Sequence, residues 1–167
     1  MQVQDICTRQ VATCAPQTSL SIAGWTMWEH DCGVLPVVND QGKVIGMLTD
    51  RDICMAVATK SRPACQINVG EVAHGKVYSC KPEDDVRAAL RTMQTQQIRR
   101  LPVVDAEDKL KGMISLNDVT LATLPQRDAK ASDITYDDLG SAVKAICQHR
   151  IPVKETVPAQ SKVAVAQ

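Results

Sequence analysis

Twice along the chain a hydroxyl side chain precedes a carboxylate by three residues: Thr49 and Asp52, then Ser115 and Asp118. Such a Ser/Thr-x-x-acid spacing is the reciprocal cap of a helix start, where each side chain satisfies a backbone N–H of the other residue. Arg99 and Arg100 stand side by side, available to an anion, to solvent or to a nearby acid such as Asp105. Catalytic chemistry finds little else to use. The three histidines (His30, His74, His149) are scattered, and the seven cysteines are odd in number with no Cys-x-x-Cys spacing. No nucleophile–base pair, metal cluster or Gly-rich phosphate loop is legible, so the chain reads as a non-enzyme with reduced, structural thiols. His30 falls at a helix end, where it can cap the last carbonyls.

The elements that position these groups come in two copies. Residues Val3 to Ala56 return 66 residues later, without a gap, as Val69 to Ala122. Leu35-Pro36-Val37-Val38 recurs as Leu101-Pro102-Val103-Val104, and Gly46-Met47 as Gly112-Met113. Two copies are too few for a solenoid, so they predict two half-domains face to face about a pseudo-twofold axis, with related clefts between them. Boundaries follow at 1–62 for the first copy, 67–126 for the second and 127–167 for a C-terminal helix and flexible tail.

Each copy reads as β-α-β-β-α, an α/β unit. A helical turn at Val3 or Val69 leads in, followed by a brief strand at 11–13 or 77–79 that Pro16 or Pro82 ends. Helices are predicted over 18–30 and 84–96. In the second, Val86, Ala89, Leu90 and Met93 recur at helical spacing. Hairpin strands follow at 34–38 with 43–48 and at 101–104 with 109–114, joined by turn-forming residues. Their apolar runs predict cover on both faces. Closing helices start at Thr49 and Ser115 and carry Ile53, Val57, Val119, Leu121 and Leu124. One more amphipathic helix is expected over 137–149, bearing Leu139, Val143 and Ile146, and a tail from Pro152 onward.

The chain is 44% apolar yet has no Phe, so its core must rest on aliphatic residues and Met, with Trp25 and Trp28 as core or interface groups. Nineteen basic residues balance nineteen acidic ones, which disfavours nucleic acid as a partner. The N-terminus has no basic-then-apolar leader, and no apolar run approaches the ~20 residues that span a bilayer. A cytoplasmic protein with no membrane partner is expected.

The segments 44–53 and 111–119, with the Leu-Pro-Val-Val strands before them, resemble CBS domains. Together the copies resemble a Bateman module, the tandem CBS pair, over about three quarters of the chain. The resemblance implies a site for adenosine-containing ligands. Asp52 and Asp118 would accept hydrogen bonds from ribose hydroxyls, and Thr49 and Ser115 would help hold phosphate at a helix start. The strands at Val38 and Val104 would wall adenine, with Met47 and Met113 nearby. Arg99 and Arg100, beside Ile98, occupy the place of a phosphate-contacting basic pair. The first copy has Gly33 and Val34 there, and Arg51 is placed to compensate. The implied function is a regulatory sensor of AMP, ADP or ATP, with or without Mg²⁺, and no obligatory cofactor. The alternative is a ligand-free interaction module that homodimerises, the helix of Trp25 and Trp28 supplying the contact, or docks to an enzyme or transporter. Capping and ligand binding can coexist in one carboxylate.

Overall fold

A computed structural model describes residues 1–125, 127, 130 and 133–148. The first copy contains α1 (Leu20–Glu29), β1 (Val34–Val38), β2 (Val44–Thr49) and α2 (Asp50–Lys60). The second contains α3 (Val86–Gln96), β3 (Arg100–Val104), β4 (Leu110–Ser115) and α4 (Leu116–Ala122), and α5 (Tyr136–Ile146) follows. Short 3-10 turns at Val3–Asp5 and Val69–Glu71 lead into the copies. This is the expected α/β pair of repeats with an added C-terminal helix. The tail expected from Pro152, and the last residue of the helix expected to reach His149, lie outside the described residues.

The hairpins are superimposable in register. β1 pairs antiparallel with β2, Pro36 facing Met47, and β3 pairs with β4, Pro102 facing Met113. The expected first strand of each copy is absent. Only Cys14 and Cys80 bridge to their hairpins, in parallel, at Val37 and Val103. Cys14 N–H donates to Pro36 O, and Val38 N–H donates back to Cys14 O. The next rung would need an N–H from Pro36, which proline lacks; Pro102 stops the second ladder in the same way. Both bridging cysteines are buried, as expected of small core residues.

Each half has its own core, but the lead-in segments are exchanged. Val3, at the start of the first copy, lies in the core of the second beside Val86, Leu101 and Ile114. Ile67 and Val69, which open the second copy, lie in the core of the first beside Leu20, Leu35 and Leu48. The exchange is held by matching backbone bonds: Val3 N–H to Asp84 O at 2.9 Å and Val69 N–H to Thr18 O at 2.8 Å. It also explains the repeated glycines. A β-carbon at Gly112 would stand 2.7 Å from Thr8 O, and one at Gly46 would stand 3.2 Å from Ala73 O, both in the crossing segments.

Several apolar side chains of the helices face outward. Trp25 and Trp28, expected as core or interface groups, are 62% and 80% exposed, which excludes the core and leaves the interface. Leu121, Val57 and Leu124 also face outward, because α2 and α4 bury only the positions of Ala56 and Val119. Val143 of α5 is exposed while Ala142 and Ile146 are buried. The strands are covered on both faces only in β1 and β3; Ile45 of β2 is exposed. In α3 the expected face of Val86, Ala89, Leu90 and Met93 is buried throughout, and α5 packs upon that helix.

Candidate functional site

The two capping boxes are formed in full. Asp52 Oδ2 accepts from Thr49 N–H at 2.9 Å and from its hydroxyl at 2.7 Å, while Asp52 N–H donates to Thr49 Oγ1 at 3.1 Å. Asp118 Oδ2 accepts from Ser115 N–H at 2.7 Å and from its hydroxyl at 2.6 Å. Each carboxylate therefore locks the strand-to-helix corner of its own copy, between β2 and α2 or between β4 and α4.

Their second oxygens differ. Asp118 Oδ1 accepts from the Thr8 hydroxyl at 3.2 Å. Thr8 is held there because its backbone exchanges bonds of 2.8 and 2.9 Å with Met113 of β4. The residue at the mirrored position is His74, which turns away. Its N–H donates to Val72 O, and its Nε2 bonds Glu71 O at 2.8 Å. Gly75, at φ +112, carries the chain off the sheet edge in a conformation that favours glycine. Among the described residues Asp52 Oδ1 has no partner.

A cleft of about 690 Å³ opens between the halves. Seven of the residues singled out from sequence line it: Gly33, Met47, Thr49 and Arg51 from the first copy, and Ile98, Arg99 and Arg100 from the second. Asp52 is not a lining residue and touches the cleft through Thr49; Ser115, Asp118 and Met113 lie at the other sheet and do not line it. Val38 and Val104 are likewise absent from the walls, which Val34 and Pro102 supply instead. A β-carbon at Gly33 would stand 3.0 Å from Asp50 Oδ2, so a side chain there would have to displace the Asp50 carboxylate.

The cleft also has members that the sequence did not disclose. Lys76 and Tyr78 line it, with Lys76 Nζ 5.3 Å from the centre of the Tyr78 ring, a cation–π geometry. Tyr78 falls in the segment expected to be a strand; the missing ladder frees its backbone and leaves its ring to the cleft. The offset that aligns it with Ala12 was the available signal, since a ring stands in one copy where the other has only a methyl group. Among the described residues Arg51, Arg99 and Arg100 have no ion-pair partner. Asp105, the acid nearest the pair in sequence, binds Lys111 instead at 3.0 Å, and that hydrogen bond holds its carboxyl below the ordinary range. Four cations and the single carboxylate of Asp50 thus line one cavity, an arrangement that favours an anion. No three His, Cys, Asp or Glu side chains stand together as a metal set among the described residues, and no helix there is long and apolar enough to cross a membrane. His30 caps its helix as expected, Nδ1 lying 3.0 Å from Thr26 O.

Comparison with known proteins agrees with this architecture. The family model for the CBS domain matches residues 3–59 and again 69–124. A CBS domain-containing protein of Bacillus subtilis, YhcV, is 37% identical over 127 residues, 76% of this chain and 89% of that one. Hypoxic response protein 1 of Mycobacterium tuberculosis is 31% identical over 116 residues, 70% of this chain and 80% of its own. Among solved structures, Hypoxic Response Protein I with two coordinated zinc ions superposes with a TM-score of 0.68 at 30% identity, covering 75% of this chain and all of that one. CBSX2 in complex with AMP superposes with a TM-score of 0.63 at 26% identity, covering 72% of this chain and 94% of that one. With two family matches laid end to end over the repeats that build the cleft, the chain belongs to the CBS-domain family as a tandem pair.

Proposed function

We propose that this chain is a regulatory module that binds an adenosine nucleotide in the cleft between its halves and signals by a change in how they pack. One observation carries the reading: arginines from both copies, without ion-pair partners among the described residues, line a single cavity beside the Thr49–Asp52 cap. AMP in the related CBSX2 structure supports adenosine as the recognised part. Tyr78, Met47 and Pro102 offer apolar surface for a base, and Thr49 a hydroxyl at the start of α2. AMP, ADP or ATP, with or without Mg²⁺, is the regulatory ligand, and no cofactor is obligatory. The module is a cytoplasmic non-enzyme that acts on a partner enzyme or transporter in trans. The signal cannot exceed the ligand's differential affinity for the two packings.

A thermal-shift screen against AMP, ADP, ATP, NAD and S-adenosylmethionine, with and without Mg²⁺, tests this directly. A ligand at 100 times its dissociation constant adds about 2.7 kcal/mol of stability. Silence from every adenosine compound, with the fold intact, sinks the proposal.

A second reading rests on a separate observation. Ile22, Trp25 and Trp28 form an exposed apolar stripe on α1, whereas the mirrored helix α3 is covered by α5. Clustered exposed apolar side chains of this kind mark association surfaces. Under this reading the chain works as a homodimer joined through α1, and Trp25→Lys with Trp28→Lys is expected to give monomers in sedimentation. A wild type that sediments as a monomer refutes it.

A further inference from the structure

We infer that one chain holds a single adenosine polyphosphate, stacked on Tyr78, and that the mirrored cleft is closed by the chain's own N-terminal segment. The inference rests on the nucleotide reading above and adds its stoichiometry, its ligand class and a recognition residue that the motifs did not mark.

Three asymmetries point the same way, the first two both set by Thr8. The first is steric and lies in the backbone. Thr8 completes the edge of β4 through two bonds to Met113, with its carbonyl 2.7 Å from where a Gly112 β-carbon would be. His74 makes no such pairing with Met47, so among the described residues the edge of the first sheet is left open there. The second is the acceptor. Thr8 occupies Asp118 Oδ1, and the Ser115 cap occupies Oδ2, so a ribose hydroxyl arriving there must displace an internal bond. Asp52 Oδ1 carries no such bond among the described residues.

The third is chemical. At the fixed offset of 66, Tyr78 becomes Ala12, Lys76 becomes Gln10 and Arg51 becomes Asn117. The closed side lacks the ring and two of the cations. On the open side Lys76 lies over one face of Tyr78, and Arg51, Arg99 and Arg100 are without ion-pair partners among the described residues. Cations gathered at one cavity repel one another, and the more negative charge a ligand brings, the more of that repulsion it relieves. A di- or triphosphate chain gives several acceptors and more charge, and each charge-assisted bond adds to affinity.

Titration calorimetry on the full chain decides the matter, using AMP, ADP and ATP as probes without metal. One site per chain is expected, with ATP binding about tenfold or more tighter than AMP. Tyr78→Leu is expected to weaken ATP about tenfold, the scale of one lost base–aromatic stack, while Tyr78→Phe keeps the affinity within about twofold. Asp52→Asn and Asp118→Asn loosen equivalent caps and so control for folding. Their thermal midpoints should fall together, but only the Asp52 variant should lose ATP affinity. Two sites per chain, equal affinities for AMP and ATP, or equal loss from both aspartate variants overturn the inference and leave the nucleotide reading standing. No heat with any of the three nucleotides overturns both.

Discussion

A carboxylate that caps a helix is already engaged, and whether it can serve a ligand depends on its second oxygen. Asp52 and Asp118 have identical spacing and nearly identical caps, yet Thr8 engages only Asp118. The motif is legible in sequence because each cap lies within four consecutive residues, a hydroxyl at the first and a carboxylate at the fourth. The difference is not, because it comes from a residue 110 positions away. The thiols separate in a similar manner. Burial pushes the Cys14 thiol up to about 11 and Cys80 to about 12, whereas Cys54, Cys65 and Cys147 are exposed. Thiolate is the reactive form. Native alkylation with iodoacetamide near pH 7.5, read by peptide mass spectrometry, is therefore expected to label Cys54, Cys65 and Cys147 early and to leave Cys14 and Cys80 unmodified. Early labelling of either buried thiol would contradict the packing of its core.

Elements were legible where one face alone decides them. The buried face of α3 follows the helical period residue for residue, and the hairpins follow their Leu-Pro-Val-Val runs. Strands at 11–13 and 77–79 were expected from β-branched and aromatic content, but the partner's proline removes the donor they need. For Trp25 and Trp28 on α1, core and interface stayed open because spacing alone cannot say whether a partner helix lies opposite; on α3 that partner is α5, on α1 none is present in the chain's described residues. The hold of α5 is electrostatic at its start. Thr135 N–H donates to Asp138 at 3.0 Å, its hydroxyl adds a second bond, and Arg87 pairs at 3.4 Å. These donors, the backbone N–H foremost, hold the Asp138 carboxyl below its ordinary value. A lowered folded-state value stabilises above the unfolded value, and that stabilisation is lost as pH falls through the folded one. Docking of α5 is thus expected to weaken below about pH 4. Thermal midpoints followed from about pH 6 to pH 3 should fall less steeply in Asp138→Asn than in the wild type, after starting lower.

At the scale of the whole molecule, the repeat unit read from sequence and the unit that packs are not the same. Each core is completed by the lead-in of the other copy, so the halves are joined by exchanged segments as well as by the linker at Pro63. Sequence periodicity reports which residues are alike and is silent on which half they enter, because Val3 and Val69 would look the same in either arrangement. The exchange has an energetic signature. Val3 is fully buried among Val86, Leu101 and Ile114, all of the second copy. Val3→Ala removes two buried methyl groups and leaves a small cavity, a loss of about 1–3 kcal/mol. Amide exchange locates that loss. Protection is expected to fall first in α3, β3 and β4, more than eighty residues downstream in sequence, while β1 and β2 keep theirs. Val69→Ala should produce the mirror image, loosening α1, β1 and β2 first. Because the crossing segment of Val3 continues to Thr8 at the edge of β4, Val3→Ala should also relax the Thr8–Asp118 bond and leave the Tyr78 cleft unaltered. A loss of protection confined to the mutated copy would mean that each half completes its own core, and the exchange of segments would then be the wrong description of this fold.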